Sequence, residues 1–245
     1  MEDEGGRADA NRRRGFLPSA FSLLPSHLPP CPVCLSHAAK SFATAGGRDY
    51  RRCAECEATF LDPAQFPDAE AERERYLLHR NDPADAGYRD FLGRLVVPLL
   101  AKLAARGRCE GLDYGCGPGP ASTLAGMLEA CGHSVALYDP FFRDDRSALE
   151  RTYDFIACSE AAEHFHRPAE EFARLDALLR PGGWLGVMTC LLADDVDFER
   201  WHYRQDLTHV VFYREATFRR IAERHGWACE FPVRDVVLMR RVIAE

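Results

Sequence analysis

The chain has 245 residues, enough for one domain of ordinary size with a small appendage, and ample for a buried core. With 47% hydrophobic and 28% charged residues and only short apolar runs, it has the composition of a globular protein without a membrane span. A net charge of -7 opposes non-specific phosphate binding, which needs a face of clustered cations, so nucleic acid is not a default partner.

In chain order, residues 1–30 mix acidic, glycine, arginine and proline residues without a sustained period, and they predict a disordered leader. Arg12-Arg13-Arg14-Gly15-Phe16-Leu17 has a trace of a twin-arginine export signal, but Pro18, Pro25, Pro29 and Pro30 interrupt any apolar core behind it. Residues 31–60 carry Cys31-Pro32-Val33-Cys34 and Cys53-Ala54-Glu55-Cys56, a C-x2-C, x18, C-x2-C array. Each tight turn aims two thiolates at one point, and four sulfurs satisfy tetrahedral zinc with no position left for a catalytic water. A redox C-x-x-C is the weaker reading, because neither pair opens a helix in a strand-helix-strand context. His37 is expected on the surface. Cys109, Cys116, Cys131, Cys158, Cys190 and Cys229 are scattered through apolar segments and predict small core residues; together with the paired set they suit a reducing cytoplasm.

Residues 61–108 read as a helical lid or linker, with a turn at 81–83 and a kink at Pro98. Short apolar runs then alternate with helical stretches: a strand at 111–114, a helix near 121–131, strands at 134–138 and 153–158, a helix at 168–179, and a strand at 184–189. This alternation predicts an α/β fold with a parallel sheet under covering helices. Phe172, Leu175, Leu178 and Leu179 give the 168–179 helix its apolar face, and Arg180-Pro181-Gly182-Gly183 is expected to end it before the next strand. A helix at 215–225 and strands at 227–231 and 235–241, forming a C-terminal hairpin, complete the domain over 109–245.

Leu112-Asp113-Tyr114-Gly115-Cys116-Gly117-Pro118-Gly119 closes the first of these strands and leads into a helix. Without Cβ atoms the backbone can bend sharply and lie against a ligand, while the helix start offers free N–H groups. Gly115, Gly117 and Gly119 spell G-x-G-x-G, and Pro120 stands where the dinucleotide fingerprint wants another small residue, which weakens a nicotinamide or flavin assignment. Twenty residues after Gly119 a second strand ends in Asp139, a carboxylate able to accept both hydroxyl hydrogens of a ribose. Together they describe a nucleoside site. A tight strand-helix turn and a helix cap are the bland alternatives.

At these residues the chain resembles the class I S-adenosylmethionine-dependent methyltransferases. The likeness covers roughly 109–241 and is reinforced by Tyr153-Asp154-Phe155-Ile156-Ala157-Cys158, by Glu163-His164-Phe165, and by Leu179-Arg180-Pro181-Gly182-Gly183-Trp184. It implies a Rossmann-like sheet with S-adenosylmethionine as cofactor. Asp113, Gly115, Cys116, Gly117 and Gly119 would hold the amino-acid portion, Asp139 the ribose, and the segment from Ser159 and Glu160 to His164 would face the sulfonium. The cysteine module is similar to that of some sugar C-methyltransferases and some ribosomal RNA guanine methyltransferases. One departure stands out: only fourteen residues separate Asp139 from Asp154, too few for helix, strand and helix, so the sheet is expected to lack or abbreviate one strand.

Methyl transfer mainly requires alignment of the acceptor, worth effective molarities of about 10^5 to 10^8 M. A base is needed only where the acceptor must lose a proton. Candidates are Glu160, Glu163, His164 and His166, then the polar, aromatic run from Trp201 to His209, among which His209, His202 and His164 are the catalytic choices. Glu160 and Glu163 serve equally as helix caps. Tyr76, His79 and Asn81 lie where a helix can close over a cofactor. The leading expectation is a small-molecule acceptor. The alternatives are an RNA acceptor reached through a strip of Arg48, Arg51 and Arg52, or a cofactor-binding scaffold without turnover; oligomeric state is not legible.

Overall fold

The computed structural model describes residues 29–78, 81–119 and 122–242. The leader expected over 1–30, its arginine run, His79 and Pro120 lie outside these, except for residues 29 and 30. The chain forms β1 (Ala39–Ala45), β2 (Arg48–Cys53), β3 (Thr59–Leu61), α1 (Ala69–Tyr76), α2 (Ala86–Leu103), β4 (Glu110–Tyr114), α3 (Thr123–Glu129) and β5 (Ser134–Tyr138). Then follow β6 (Tyr153–Ser159), α4 (Pro168–Leu178), β7 (Leu179–Met188), β8 (Val211–Phe212), α5 (Glu215–His225), β9 (Trp227–Val233) and β10 (Val236–Arg241).

The larger sheet has the order β5-β4-β6-β7-β10-β9, parallel across its first four strands and antiparallel on both sides of β10. Its faces follow the period of two. Phe155 and Ala157 pack with Leu92, Leu95 and Leu99 of α2 and Leu124 and Leu128 of α3, whereas Ile156 and Cys158 pack with Phe172 and Leu175 of α4 and Phe218 of α5. Three layers result, with α2 and α3 on one side and α4 and α5 on the other. Local chemistry sets the helix limits: Asp68, Asp85 and Ser122 accept from the backbone at the starts of α1, α2 and α3, Pro168 opens α4, and Gly226 at φ +66° stops α5.

Between β5 and β6 the chain makes only an isolated bridge from Asp139 to Arg143 and a 3-10 turn, Arg146–Leu149, so β5 is the sheet edge and one strand is absent there, as the short interval requires. Several details differ from the sequence reading. No loop separates α4 from β7: Leu179 already pairs with Tyr153, and the next pair is Phe155 with Trp184, so the Pro-Gly stretch is a bulge inside the strand. Cys131 is exposed rather than in the core, because it follows the end of α3, whereas Cys109 and Cys158 are buried.

The cysteine module builds the smaller sheet, β1-β2-β3-β8, whose last strand comes from the far end of the chain: Thr59 pairs with Phe212 and Phe60 with Val211. Tyr50, Phe60 and Leu61 are fully buried, and Tyr50 packs edge-on against Phe198 at 4.9 Å and Phe212 at 6.0 Å. Its apolar interior is thus shared with the rest of the molecule, and the Ala169 N–H at the start of α4 donates to the Pro32 carbonyl at 3.0 Å. Among the described residues no helix is long and apolar enough to cross a membrane.

Candidate functional site

Parallel strands β4, β5 and β6 end at one edge of the sheet, and a cleft of about 960 Å³ opens there, where neighbouring connections diverge to opposite faces. Asp113, Gly115, Cys116, Gly117, Asp139, Ser159, Glu160, His164, His202 and His209 all line it. Gly119 is exposed and is not among the lining residues.

The glycine loop is held from both sides. The Gly115 and Cys116 N–H groups donate to the Tyr138 carbonyl at 2.8 and 3.2 Å, and Gly115 sits at φ +82° in a space closed to any side chain, since a Cβ there would meet that of Ala161 at 2.6 Å. Asp113 is 3% exposed and accepts from the Ser122 hydroxyl; burial pushes its carboxyl up to about 7. Asp139 is nearly as buried. Its Oδ2 accepts from the Gly117 N–H at 2.9 Å, and its Oδ1 accepts from the N–H groups of Phe141 and Phe142 at 2.9 and 3.1 Å. Three of the roughly four lone-pair positions of a carboxylate are therefore occupied within the protein, and Oδ2 keeps one.

The opposite wall begins at Glu160, whose φ of +48° is costly for a residue with a side chain and whose N–H donates to the Met188 carbonyl at 2.8 Å. Burial, aided by the neighbouring Glu163, pushes the Glu160 carboxyl up to about 9. Tyr203 Oη bonds Thr189 Oγ1 at 3.0 Å and reaches Glu160 Oε2 at 3.4 Å; burial and both glutamates raise this phenol well above its ordinary range. A 3-10 turn, Ala162–His164, then brings in Glu163 and His164, and the Glu163 carbonyl accepts from the Val210 N–H at 2.9 Å, drawing the segment before β8 alongside. His164 and His209 lie together, ring centroids 4.8 Å apart. Burial lowers His209 to about 4, so its imidazole is neutral. His202 is exposed at the rim, apart from this pair.

Aromatic residues close the cleft on the side of α1. Tyr76 packs on Phe141 at 5.3 Å and on His164 at 5.0 Å, and Asn81 and Tyr88 also line the space. Tyr203 belongs to the candidate run from Trp201 to His209, whereas Phe141, Phe142 and Tyr88 are not among the sequence candidates; the paired phenylalanines just past Asp139 are the signal that points to them. His166 leaves the acceptor end, its Nε2 lying 3.1 Å from Glu72 Oε1.

The four N-terminal cysteines form a second cluster. Cys31 and Cys56 Sγ are 3.6 Å apart, as are those of Cys34 and Cys53, and all four sulfurs lie within 4.8 Å of one another. Ligands at about 2.3 Å from a tetrahedral zinc would stand about 3.8 Å apart, so this donor set fits such an ion. The Cys56 thiol beside Cys31 holds Cys31 down at about 6 and is itself pushed up by that contact. His37 is exposed.

Residues 84–230 match the family model described as a methyltransferase domain. Among solved structures, a protein described as a methyltransferase from Bacillus halodurans C-125 is 19% identical, with TM-score 0.44 over 56% of this chain and 67% of that one. An O-methyltransferase family protein from Burkholderia thailandensis is 16% identical, with TM-score 0.46 over 71% and 64%. Human N-acetylserotonin methyltransferase, solved with S-adenosylmethionine, is 17% identical, with TM-score 0.41 over 71% and 65%. No curated protein matches the chain.

Proposed function

The chain belongs to the methyltransferase-domain family, and from that premise we propose that it takes S-adenosylmethionine as cofactor and methylates a small-molecule acceptor. The observation that carries the reading is the pairing of the glycine loop with Asp139, whose Oδ2 both anchors Gly117 and keeps a lone pair for a ribose hydroxyl. The loop and Asp113 would hold the amino-acid portion. The residues fit a cationic group: Glu160 and Glu163 are neighbours on one wall, where burial and their mutual repulsion disfavour two carboxylate charges, and a positive charge beside them offsets that penalty.

When bound, the cofactor supplies a methyl group already activated for in-line displacement. What the chain's own residues do is align the acceptor and exclude water, with Tyr76, Phe141 and Tyr203 as apolar walls. His209, neutral and buried, and His164 present their rings at the acceptor end, with His202 at the entrance. A small acceptor is favoured over RNA because the arginines of the expected basic strip are engaged internally: Arg48 donates to the Leu207 carbonyl, Arg51 pairs with Asp62 at 2.7 Å, and Arg52 donates to Thr59 Oγ1 at 2.9 Å. The cysteine cluster is proposed to hold a structural zinc ion, since four thiolates leave no open position. Its crowded free thiols suit a reducing compartment such as the cytoplasm.

Calorimetric titration with S-adenosylmethionine, followed by a co-crystal structure with the demethylated product, tests this reading. Binding of one equivalent at the glycine loop is expected. A titration without heat and a crystal with no density in the cleft would overturn it.

A further inference from the structure

Glu163 is fully buried, and neither oxygen of its carboxylate has a hydrogen-bond partner at ordinary distance and angle, although the Tyr203 phenol is near enough to be raised by it. Buried charged groups rarely stand so, because desolvation without a partner is costly. Two imidazoles face it. The Nδ1–H of His164 donates to the Thr208 carbonyl at 2.9 Å, and the Nδ1–H of His209 donates to the Tyr203 carbonyl at 2.6 Å. A carbonyl only accepts, so each Nδ1 carries a hydrogen, and Nε2 is the nitrogen of each ring left to bind a metal ion. Backbone carbonyls orient metal-binding imidazoles in this way.

The spacing agrees. One donor atom from each of the three residues lies within 4.8 Å of the others, and His164 Nε2 is 3.9 Å from Glu163 Oε1, too far for a hydrogen bond. Donors bonded at about 2.1 Å to one ion stand about 3.0 to 4.2 Å apart, so a small inward movement of side chains completes the shell. Two nitrogens and one carboxylate suit iron, cobalt or zinc in the divalent state, and not calcium or magnesium, which want oxygen throughout. Three protein ligands leave positions open, and all three residues line the cleft.

We propose that Glu163, His164 and His209 bind a divalent first-row transition ion, separate from the cysteine cluster, whose open positions take an oxygen donor of the acceptor. The assignment to the acceptor rests on the methyl-transfer reading; the ion itself does not. It makes His209 a ligand and leaves its Nε2 no role as a free base.

Untagged protein is loaded with one equivalent of zinc and titrated with Co2+, followed by calorimetry and visible absorption. One further equivalent is expected to bind without the intense near-ultraviolet sulfur-to-cobalt band that marks thiolate ligation, and Glu163→Gln and His209→Ala should each weaken it by about 10- to 100-fold or more. Circular dichroism and melting temperature check that the variants fold. If they do not, an anomalous-difference map at the cobalt edge of wild-type crystals decides, with a peak expected among the three side chains. No second equivalent, a peak elsewhere, or wild-type affinity in both folded variants overturns the site. S-adenosylmethionine affinity is measured on the same samples: cobalt uptake without cofactor binding upholds the ion and defeats the methyl-transfer reading, and cofactor binding without cobalt uptake defeats the ion alone.

Discussion

Asp139→Asn separates two jobs that one carboxylate performs. In the free protein its Oδ1 serves the N–H groups of Phe141 and Phe142 and its Oδ2 serves that of Gly117. An asparagine whose carbonyl stays with the phenylalanines turns its NH2 toward Gly117, so one charge-assisted bond is lost and donor faces donor. Hydrogen bonds to charged groups are worth about 1.5 to 3 kcal/mol, and we expect the unfolding free energy of the free protein to fall by about that much. Cofactor affinity reads the other job. The lone pair left on Oδ2 is also gone, so the dissociation constant for S-adenosylmethionine should rise roughly 10- to 150-fold, the same energy at about 1.4 kcal/mol per tenfold. Urea unfolding measures the first effect and calorimetry the second. Unchanged urea stability refutes the loop-anchor role, and unchanged affinity in a folded variant refutes the ribose role. With a single lone pair free, removing one ribose hydroxyl from the cofactor should matter far more than removing the other.

Three further outcomes follow from the same geometry. Gly115→Ala places a Cβ 2.6 Å from that of Ala161 at a positive φ, and should destabilise by about 1 to 3 kcal/mol while abolishing measurable cofactor binding; a normal melting temperature contradicts it. Burial raises Asp113 from 3.8 to about 7, so its contribution to stability is fully present below about pH 3.8 and is lost as pH rises through 7, by up to about 4 kcal/mol. Asp113→Asn should therefore flatten the fall in urea stability between pH 4 and pH 8, and parallel wild-type and variant curves would show the cause to lie elsewhere. Purified protein should contain zinc at the cysteine cluster, and Cys53→Ser should lose it together with near-ultraviolet dichroism from Tyr50, whose ring packs on Phe198 and Phe212; metal analysis of protein prepared under reducing conditions checks this.

Where structure is encoded locally, the sequence reads well. The strand at 134–138 and the helix at 215–225 coincide with β5 and α5 because apolar periodicity and a terminal Gly226 act within a few residues. The absent strand was legible as a length, fourteen residues, with no need of pattern. Pairing between distant segments was not. Nothing around Thr59 and Phe60 announces partners at Val211 and Phe212, and the meeting of Glu163 and His164 with His209 depends on a backbone bond from Val210 to Glu163 across 47 positions, so candidate residues were nameable one by one but not as a cluster. Arg180-Pro181-Gly182-Gly183 has the composition of a loop, yet pairing on both of its sides keeps it inside β7.

Strand β8 has a mechanical consequence. The Leu61 N–H donates to the Val210 carbonyl at 2.8 Å, and the Val210 N–H donates to Glu163, so the cysteine hairpins are braced directly against the histidine end of the cleft, whereas the glycine end hangs from the parallel strands. The two ends have separate guarantors. On the proposed reading, damage at the thiols should reach the histidines along that ladder first, and the expected result is a protein that still takes up the nucleoside but no longer positions a methyl acceptor.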